Sequence, residues 1–320
     1  MKKLFDAQVN VGRSAIGPDC DMDTYLTHMQ NRTTAVMLIP TPSHDHIYGD
    51  GTREISCMWE DNDGAVTYSV RRQRNGRQME INPTNPYFDF NGAIIEQARV
   101  LTARTGIEFY VAAKCHPVLD SPERFEETLR APEVRAIKIH GLATHTTPAQ
   151  IPAWLPDLSK RTGVPFFIHT DYHQASTTAT PMELLMSANT SKKWYAWVKE
   201  HDARAYLAHG LRLDLETLAA VSNDLNILIG IGPASLLQTE QDRLLVRTDN
   251  YLQTLLASTN PQRIAFCTDY RWNVWERQQW NNLDWSSDER TIETARQLGF
   301  SQENINGILH DNAEKFFMRN

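Results

Sequence analysis

Four apolar runs end in residues that can do chemistry. Val164-Pro-Phe-Phe-Ile-His169-Thr-Asp and Ala205-Tyr-Leu-Ala-His209-Gly each stop at a histidine and turn polar at once. Arg263-Ile-Ala-Phe-Cys-Thr-Asp269 stops at a carboxylate, and Arg135-Ala-Ile-Lys138-Ile-His140-Gly carries a lysine and a histidine. Imidazole and carboxylate are ligands for Zn²⁺, Mn²⁺ or Fe²⁺, and a catalytic site of that kind keeps about three protein ligands and an open position for water. Metal-bound water, its pKa lowered to roughly 7, would then be the nucleophile. Without a metal, the same groups serve as acid, base and charge stabilisers.

The elements that must position these residues alternate along the chain. Strand-like runs fall at Leu4–Val11, Thr34–Pro40, Ile107–Ala113, Val134–His140, Val164–His169, Ala203–His209, Leu225–Ile231 and Arg263–Thr268. Helical periodicity lies between most of them, including a long segment at 181–201, and two further helices at 287–298 and 302–318 close the chain. Continuous apolar runs are the mark of parallel strands buried on both faces. Eight strand–helix units predict a (β/α)8 TIM barrel, whose active site lies at the carboxyl ends of the strands. A doubly wound open sheet would more naturally carry a glycine-rich phosphate loop after strand 1, where this chain reads Val9-Asn-Val-Gly-Arg.

Residues 41–90 break the alternation. Ile55–Glu60, Ala65–Arg72 and Arg77–Ile81 read as three strands separated by Asn62-Asp63-Gly64 and Asn75-Gly76, which are hairpin-turn sequences. The expectation is a single domain, 1–320, with a β-meander inserted after strand 2 and extra C-terminal helices.

Composition narrows the class. A hydrophobic content of 41% and a charged content of 22% are those of a globular protein, and the net charge of −7 gives no support to nucleic-acid binding. Cys20, Cys57, Cys115 and Cys267 form no Cys-x-x-Cys pair, which points to free thiols in a reducing compartment. No run of 18 apolar residues and no signal-peptide pattern is present, so the expectation is a cytoplasmic protein without a membrane partner.

The residues also carry a resemblance. Phe5-Asp6-Ala7, Val164–His169, Leu207-Ala-His-Gly210, Phe266-Cys-Thr-Asp269-Tyr and Ile308-Leu-His-Asp-Asn312-Ala-Glu-Lys-Phe-Phe317 together resemble the amidohydrolase superfamily. The nearest branch holds the lactonase-like and aminocarboxymuconate-semialdehyde-decarboxylase-like TIM-barrel enzymes. The resemblance implies a metal held by a His-x-His pair at the end of strand 1. Here those positions are Gln8 and Asn10, which are neutral and weak ligands.

Two outcomes follow from that departure. In one, a divalent, zinc-like metal has moved to Lys138, His169 and His209, with Lys138 carboxylated and His140 a competing ligand. In the other there is no metal, and Asp269, His169, His209 and Lys138 act directly while Gln8 and Asn10 bind substrate. His116, His140, His173, Arg271 and Trp272 are further candidates for substrate contact. His44-Asp-His46 could bind metal or be a polar loop; Arg71, Arg72, Arg74 and Arg77 could attract an anion or a second subunit. Trp272, Trp275, Trp280 and Trp285 lie in one loop after strand 8, suited to an aromatic wall, to packing or to a homodimer interface. The expected function is hydrolysis of an amide, lactone or related C–N or C–O bond in a small molecule. A lyase (decarboxylase or hydratase) on the same barrel is the alternative, and a non-catalytic ligand-binding barrel is the rival from another class.

Overall fold

The computed structural model describes residues 3–12, 21–40, 85–170, 181–231, 248–270 and 285–318, and the backbone of five short strands between 44 and 79. In chain order the strands are β1 (Leu4–Val11), β2 (Thr33–Pro40), β3 (His44–Ile47), β4 (Arg53–Asp61), β5 (Gly64–Tyr68), β6 (Arg72–Arg74), β7 (Arg77–Met79), β8 (Glu108–Lys114), β9 (Val134–Ile139), β10 (Phe166–Ile168), β11 (Ala205–Leu207), β12 (Ile227–Ile231) and β13 (Ile264–Phe266).

The eight apolar runs form one parallel sheet in the order β1-β2-β8-β9-β10-β11-β12-β13. It closes on itself just past β13. Val9 bridges Tyr270 in the parallel sense, the Asp269 amide donates to the Gln8 carbonyl at 3.0 Å, and the Asn10 amide donates to the Tyr270 carbonyl at 2.7 Å. With helices between successive strands, this is a (β/α)8 barrel.

Two apolar cores follow from that closure. One lies between the barrel and its helices; the other fills the barrel with Phe5, Met37, Phe167, Tyr206, Cys267 and Phe317. Phe167 and Tyr206 stack at 4.3 Å, and small residues such as Ala112, Ala136 and Ala265 make room for them. Gly230 is required beside them, because a Cβ there would lie 1.8 Å from the Tyr206 hydroxyl oxygen.

One irregularity decides what faces the barrel mouth. Along β1 the partners run Asp6↔Val36 and then Val9↔Leu38, so β1 carries one extra residue, a β-bulge. Before it, Phe5 and Ala7 face the barrel interior; after it, Val9 and Val11 join the outer core. The bulge thereby turns Gln8 and Asn10 inward.

Several elements differ from the sequence expectation. The helix over 181–201 is two, Pro181–Ala188 and Ser191–Glu200. Buried Asn189 breaks it, donating from Nδ2 to the Leu185 and Thr146 carbonyls. The closing helix is interrupted by a π-helical turn at Gly307–Asp311. Between 44 and 79, two separate antiparallel ladders, β3-β4-β5 and β6-β7, stand where three strands were expected. The pairs Asp61↔Gly64 and Arg74↔Arg77 flank the two turn sequences. No helix among the described residues is long and apolar enough to cross a membrane.

Candidate active site

Asp269 lies where the barrel closes, in the left-handed region at φ +52°. Its neighbour Thr268 is pinned from strand 1: buried Asp6 accepts from the Thr268 amide at 2.9 Å, the Thr268 hydroxyl at 2.7 Å and the Tyr25 hydroxyl at 2.9 Å. Burial lifts the Asp6 carboxyl to about 6, against the pull of those hydrogen bonds. Asp269 Oδ1 accepts from Gln8 Nε2 at 2.5 Å and from Asn10 Nδ2 at 3.0 Å. Burial pushes the Asp269 carboxyl up to about 7, opposed by the Asn10 and Gln8 amides and by the Lys138 and Arg212 cations. The strand-1 carboxamides expected to face substrate therefore spend their N–H groups on Asp269. Asn10 Nδ2 also reaches the Tyr270 carbonyl at 2.7 Å, whereas Gln8 Oε1 is buried with no hydrogen-bond partner among the described residues.

The histidines form a second layer. The His169 amide donates to the Ile139 carbonyl at 3.0 Å, continuing the β9–β10 ladder to the barrel mouth. The His140 ring stacks on that of His169 with centroids 3.9 Å apart and planes 10° apart. His169 Nδ1 lies 3.0 Å from His209 Nε2, and His209 Nδ1 lies 3.7 Å from Asp269 Oδ2. Burial holds both His169 and His209 well below the ordinary histidine range, helped by the Arg212 and Lys138 cations. This favours the neutral form of both rings, and the Nδ1–Nε2 contact is suited to sharing one proton between them.

Two cations here escaped the sequence reading. Arg212 acts on all three groups of the chain Asp269–His209–His169. It reaches them through a left-handed turn: His209, Leu211, Arg212 and Leu213 have φ between +53° and +59°, and Gly210 has φ +54°. Left-handed backbone costs roughly 1–2 kcal/mol per non-glycine residue, so only surrounding contacts maintain it. No sequence signal marks such a turn.

Lys114 is the other. It is the register partner of Lys138 across β8 and β9, and both are buried, at 1% and 3% exposure. Alternation along β8 places it on the side of Ala112, toward the barrel interior. Its ammonium lies 4.6 Å from the Tyr87 ring centre, that of Lys138 4.3 Å from Phe167. A charged residue ending an apolar run was the available signal, the same one that marked Lys138.

Other candidates fare differently. His116 turns back on its own loop, its Nδ1 accepting from the Leu119 amide at 3.3 Å and its ring stacked on Tyr87. Trp285 packs against His28 and Tyr270. His173, Arg271, Trp272, Trp275 and Trp280 lie outside the described residues, as do the side chains of His44, His46, Arg72, Arg74 and Arg77, and Arg71 altogether.

The donor set for a metal is short. Two zinc–nitrogen bonds of about 2.0–2.1 Å would span the His169–His209 separation near a right angle, so these two imidazoles can share an ion. A catalytic zinc uses about three protein ligands. Asp269 Oδ1 is taken by Gln8 and Asn10. Among the described residues, the His, Asp and Glu donors that converge as a set of three are His310, Asp311 and Glu314. That set lies in the closing helical segment, with the His310 ring beside Phe5 at the start of β1. Among the described residues at the mouth, His169 and His209 supply two donors, and a third would have to come from Asp269 Oδ2, His140 or a carboxylated Lys138.

No protein-family model matches the sequence, and no curated protein matches it. Solved structures do. A Pseudomonas putida protein described as a 2-pyrone-4,6-dicarboxylic acid hydrolase matches with a TM-score of 0.60 at 12% identity, over 99% of this chain and 98% of that one. The 2,6-dihydroxybenzoate decarboxylase from Rhizobium matches at 0.54 and 11%, over 99% of each chain. The 5-carboxyvanillate decarboxylase of Sphingomonas paucimobilis matches at 0.56 and 9%, over 100% of each. At these identities the likeness establishes the architecture: this chain has the barrel shared by amidohydrolase-type hydrolases and decarboxylases.

Proposed function

We propose that the protein is a small-molecule hydrolase that cleaves a lactone, amide or related bond with Asp269 as general base. One observation carries this reading. Asp269 Oδ2 and His209 Nδ1 are buried, lack hydrogen-bond partners among the described residues and stand 3.7 Å apart. A single water at about 2.8 Å from each satisfies both.

The chemistry then follows from the groups around it. With its carboxyl lifted to about 7, Asp269 is present in both forms near neutral pH, and its carboxylate takes a proton as the water oxygen bonds to the substrate carbonyl carbon. Gln8 and Asn10 hold Oδ1, so Oδ2 is the oxygen that faces the water. Lys138 and Arg212 supply positive charge where the carbonyl oxygen becomes an oxyanion. As the C–O or C–N bond breaks, the proton on Asp269 passes to the leaving group. The proton between His209 and His169 allows His209 Nδ1 to present either a donor or a lone pair to the water. The same cations suit an anionic substrate, in keeping with the dicarboxylic acid and carboxylated rings named for the structural neighbours. We read the enzyme as cytoplasmic.

A lyase is the second reading, because decarboxylases share the fold and protonated Asp269 could deliver a proton to a ring carbon. A panel of cyclic and open esters and amides bearing carboxylates, run in ¹⁸O-labelled water beside their carboxylated aromatic counterparts, separates the two. Label in the product, lost in Asp269→Asn, supports hydrolysis. Carbon dioxide without label in the product sinks it in favour of the lyase. Saturable binding with no turnover in any member would instead indicate a ligand-binding barrel.

A further inference from the structure

The left-handed segment 209–213 is a device for placing two residues on one side. Gly210, Leu211 and Arg212 have φ/ψ of +54/+32°, +53/+22° and +55/+31°. These are mirror images of 3₁₀ angles, and the Asp214 amide accordingly donates to the Leu211 carbonyl three residues back, at 3.1 Å. With three residues per turn, residues i and i+3 eclipse. His209 and Arg212 therefore point the same way, consistent with the electrostatic hold of Arg212 on both histidines. A right-handed turn of the same residues would be locally preferred and would also eclipse i and i+3, so the left hand sets the direction in which the pair leaves β11 rather than its alignment.

Contacts from distant parts of the chain hold the unfavourable hand. The Tyr251 hydroxyl donates to the His209 carbonyl at 3.0 Å, from the helix Thr248–Ser258. The Ser191 hydroxyl donates to the Leu211 carbonyl at 2.9 Å, from the first residue of the helix Ser191–Glu200. Leu211 is fully buried, and Arg212 Nε donates to the Thr170 carbonyl at 3.0 Å. Gly210 fits this packing doubly: its φ is positive, and a Cβ would lie 2.0 Å from the Tyr251 oxygen.

We propose that Tyr251, with Ser191, is a positioning residue that acts through His209 and Arg212 by locking this left-handed turn. The lock is carried by the two hydroxyls. The Tyr251 ring contributes packing that phenylalanine would preserve. The consequence for catalysis rests on the hydrolase reading above; the conformational claim does not.

The test uses the full chain and the variants Tyr251→Phe and Ser191→Ala. Hydrogen–deuterium exchange of the amides at 210–214 is expected to speed up at least tenfold in each, with β11 and the helix Thr248–Ser258 unchanged. A downfield imidazole N–H resonance, lost in His169→Gln, reports the His169–His209 bond and is expected to weaken in both variants. Unchanged exchange at 210–214 in both folded variants overturns the proposal. If the wild type lacks the imidazole signal while the variants still open the turn, the proton chain of the hydrolase reading fails and the lock stands. Should Tyr251→Phe not fold, Ser191→Ala alone decides, by the same exchange criterion.

Discussion

His209 Nδ1 faces Asp269 Oδ2 at 3.7 Å, while the other oxygen of that carboxylate is held by Gln8 and Asn10. One face of Asp269 is thus fixed and the other is left for reaction. Turnover should rise with pH through about 7, the value to which burial lifts this carboxyl. Asp269→Asn should lose roughly 10²–10⁴ in kcat. A pH profile of kcat/KM without an ionisation near 7 would assign the base to another group.

The same burial has an opposite effect on stability. The folded-state pKa of Asp269 is raised, so its contribution is full below the unfolded value of 3.8 and is lost as pH rises through about 7; Asp6 behaves likewise through about 6. His169 and His209 are depressed, and their contribution is lost as pH falls below 6.5. Asp269→Asn removes the buried charge, so it should stabilise the protein at pH 8 by on the order of 2–4 kcal/mol and by little at pH 4. Urea denaturation at the two pH values measures the difference. Equal effects at both would mean that Asp269 is not titrating in the folded state.

Gln8 and Asn10 hydrogen-bond the charged form of Asp269, so removing one must favour the neutral form. Gln8→Leu should move the rising limb of the pH profile upward by about one unit. A limb that stays in place would show that the short Gln8 bond does not act on the ionised state.

The β1 bulge aims positions 8 and 10 at the mouth beside Asp269. Restoring imidazoles there, in the double variant Gln8→His with Asn10→His, should raise zinc affinity at least tenfold over the parent by calorimetry. Parallel metal analysis of the wild type, His169→Ala and His209→Ala addresses the relocated site directly. Stoichiometric metal lost in both single variants would establish it.

Gly230 and Tyr206 make a packing pair inside the barrel. Gly230→Ala should destabilise by about 1–3 kcal/mol through overpacking, and Tyr206→Phe should recover only part of that loss, since a Cβ there meets the ring carbon Cζ at 2.2 Å as well as the hydroxyl oxygen at 1.8 Å. Thermal denaturation of the single and double variants closes the cycle, and additive losses would refute the contact.

The barrel and four of its mouth residues were legible in the sequence because parallel strands, buried on both faces, leave continuous apolar runs, and a strand end that meets a polar site interrupts the run abruptly. Lys138, His169, His209 and Asp269 each mark such an interruption. Three features were decided only in three dimensions. The bulge on β1 adds a residue to a ladder without altering its apolar character, yet it reverses which side chains face inward. The left-handed turn is set by hydroxyls of Tyr251 and Ser191, remote from His209 in the chain, so local preference points to the wrong hand. The role of Gln8 and Asn10 changed most: as residue types they signalled a lost metal pair, and the closing of β1 against the end of β13 makes them the donors that hold Asp269 in place.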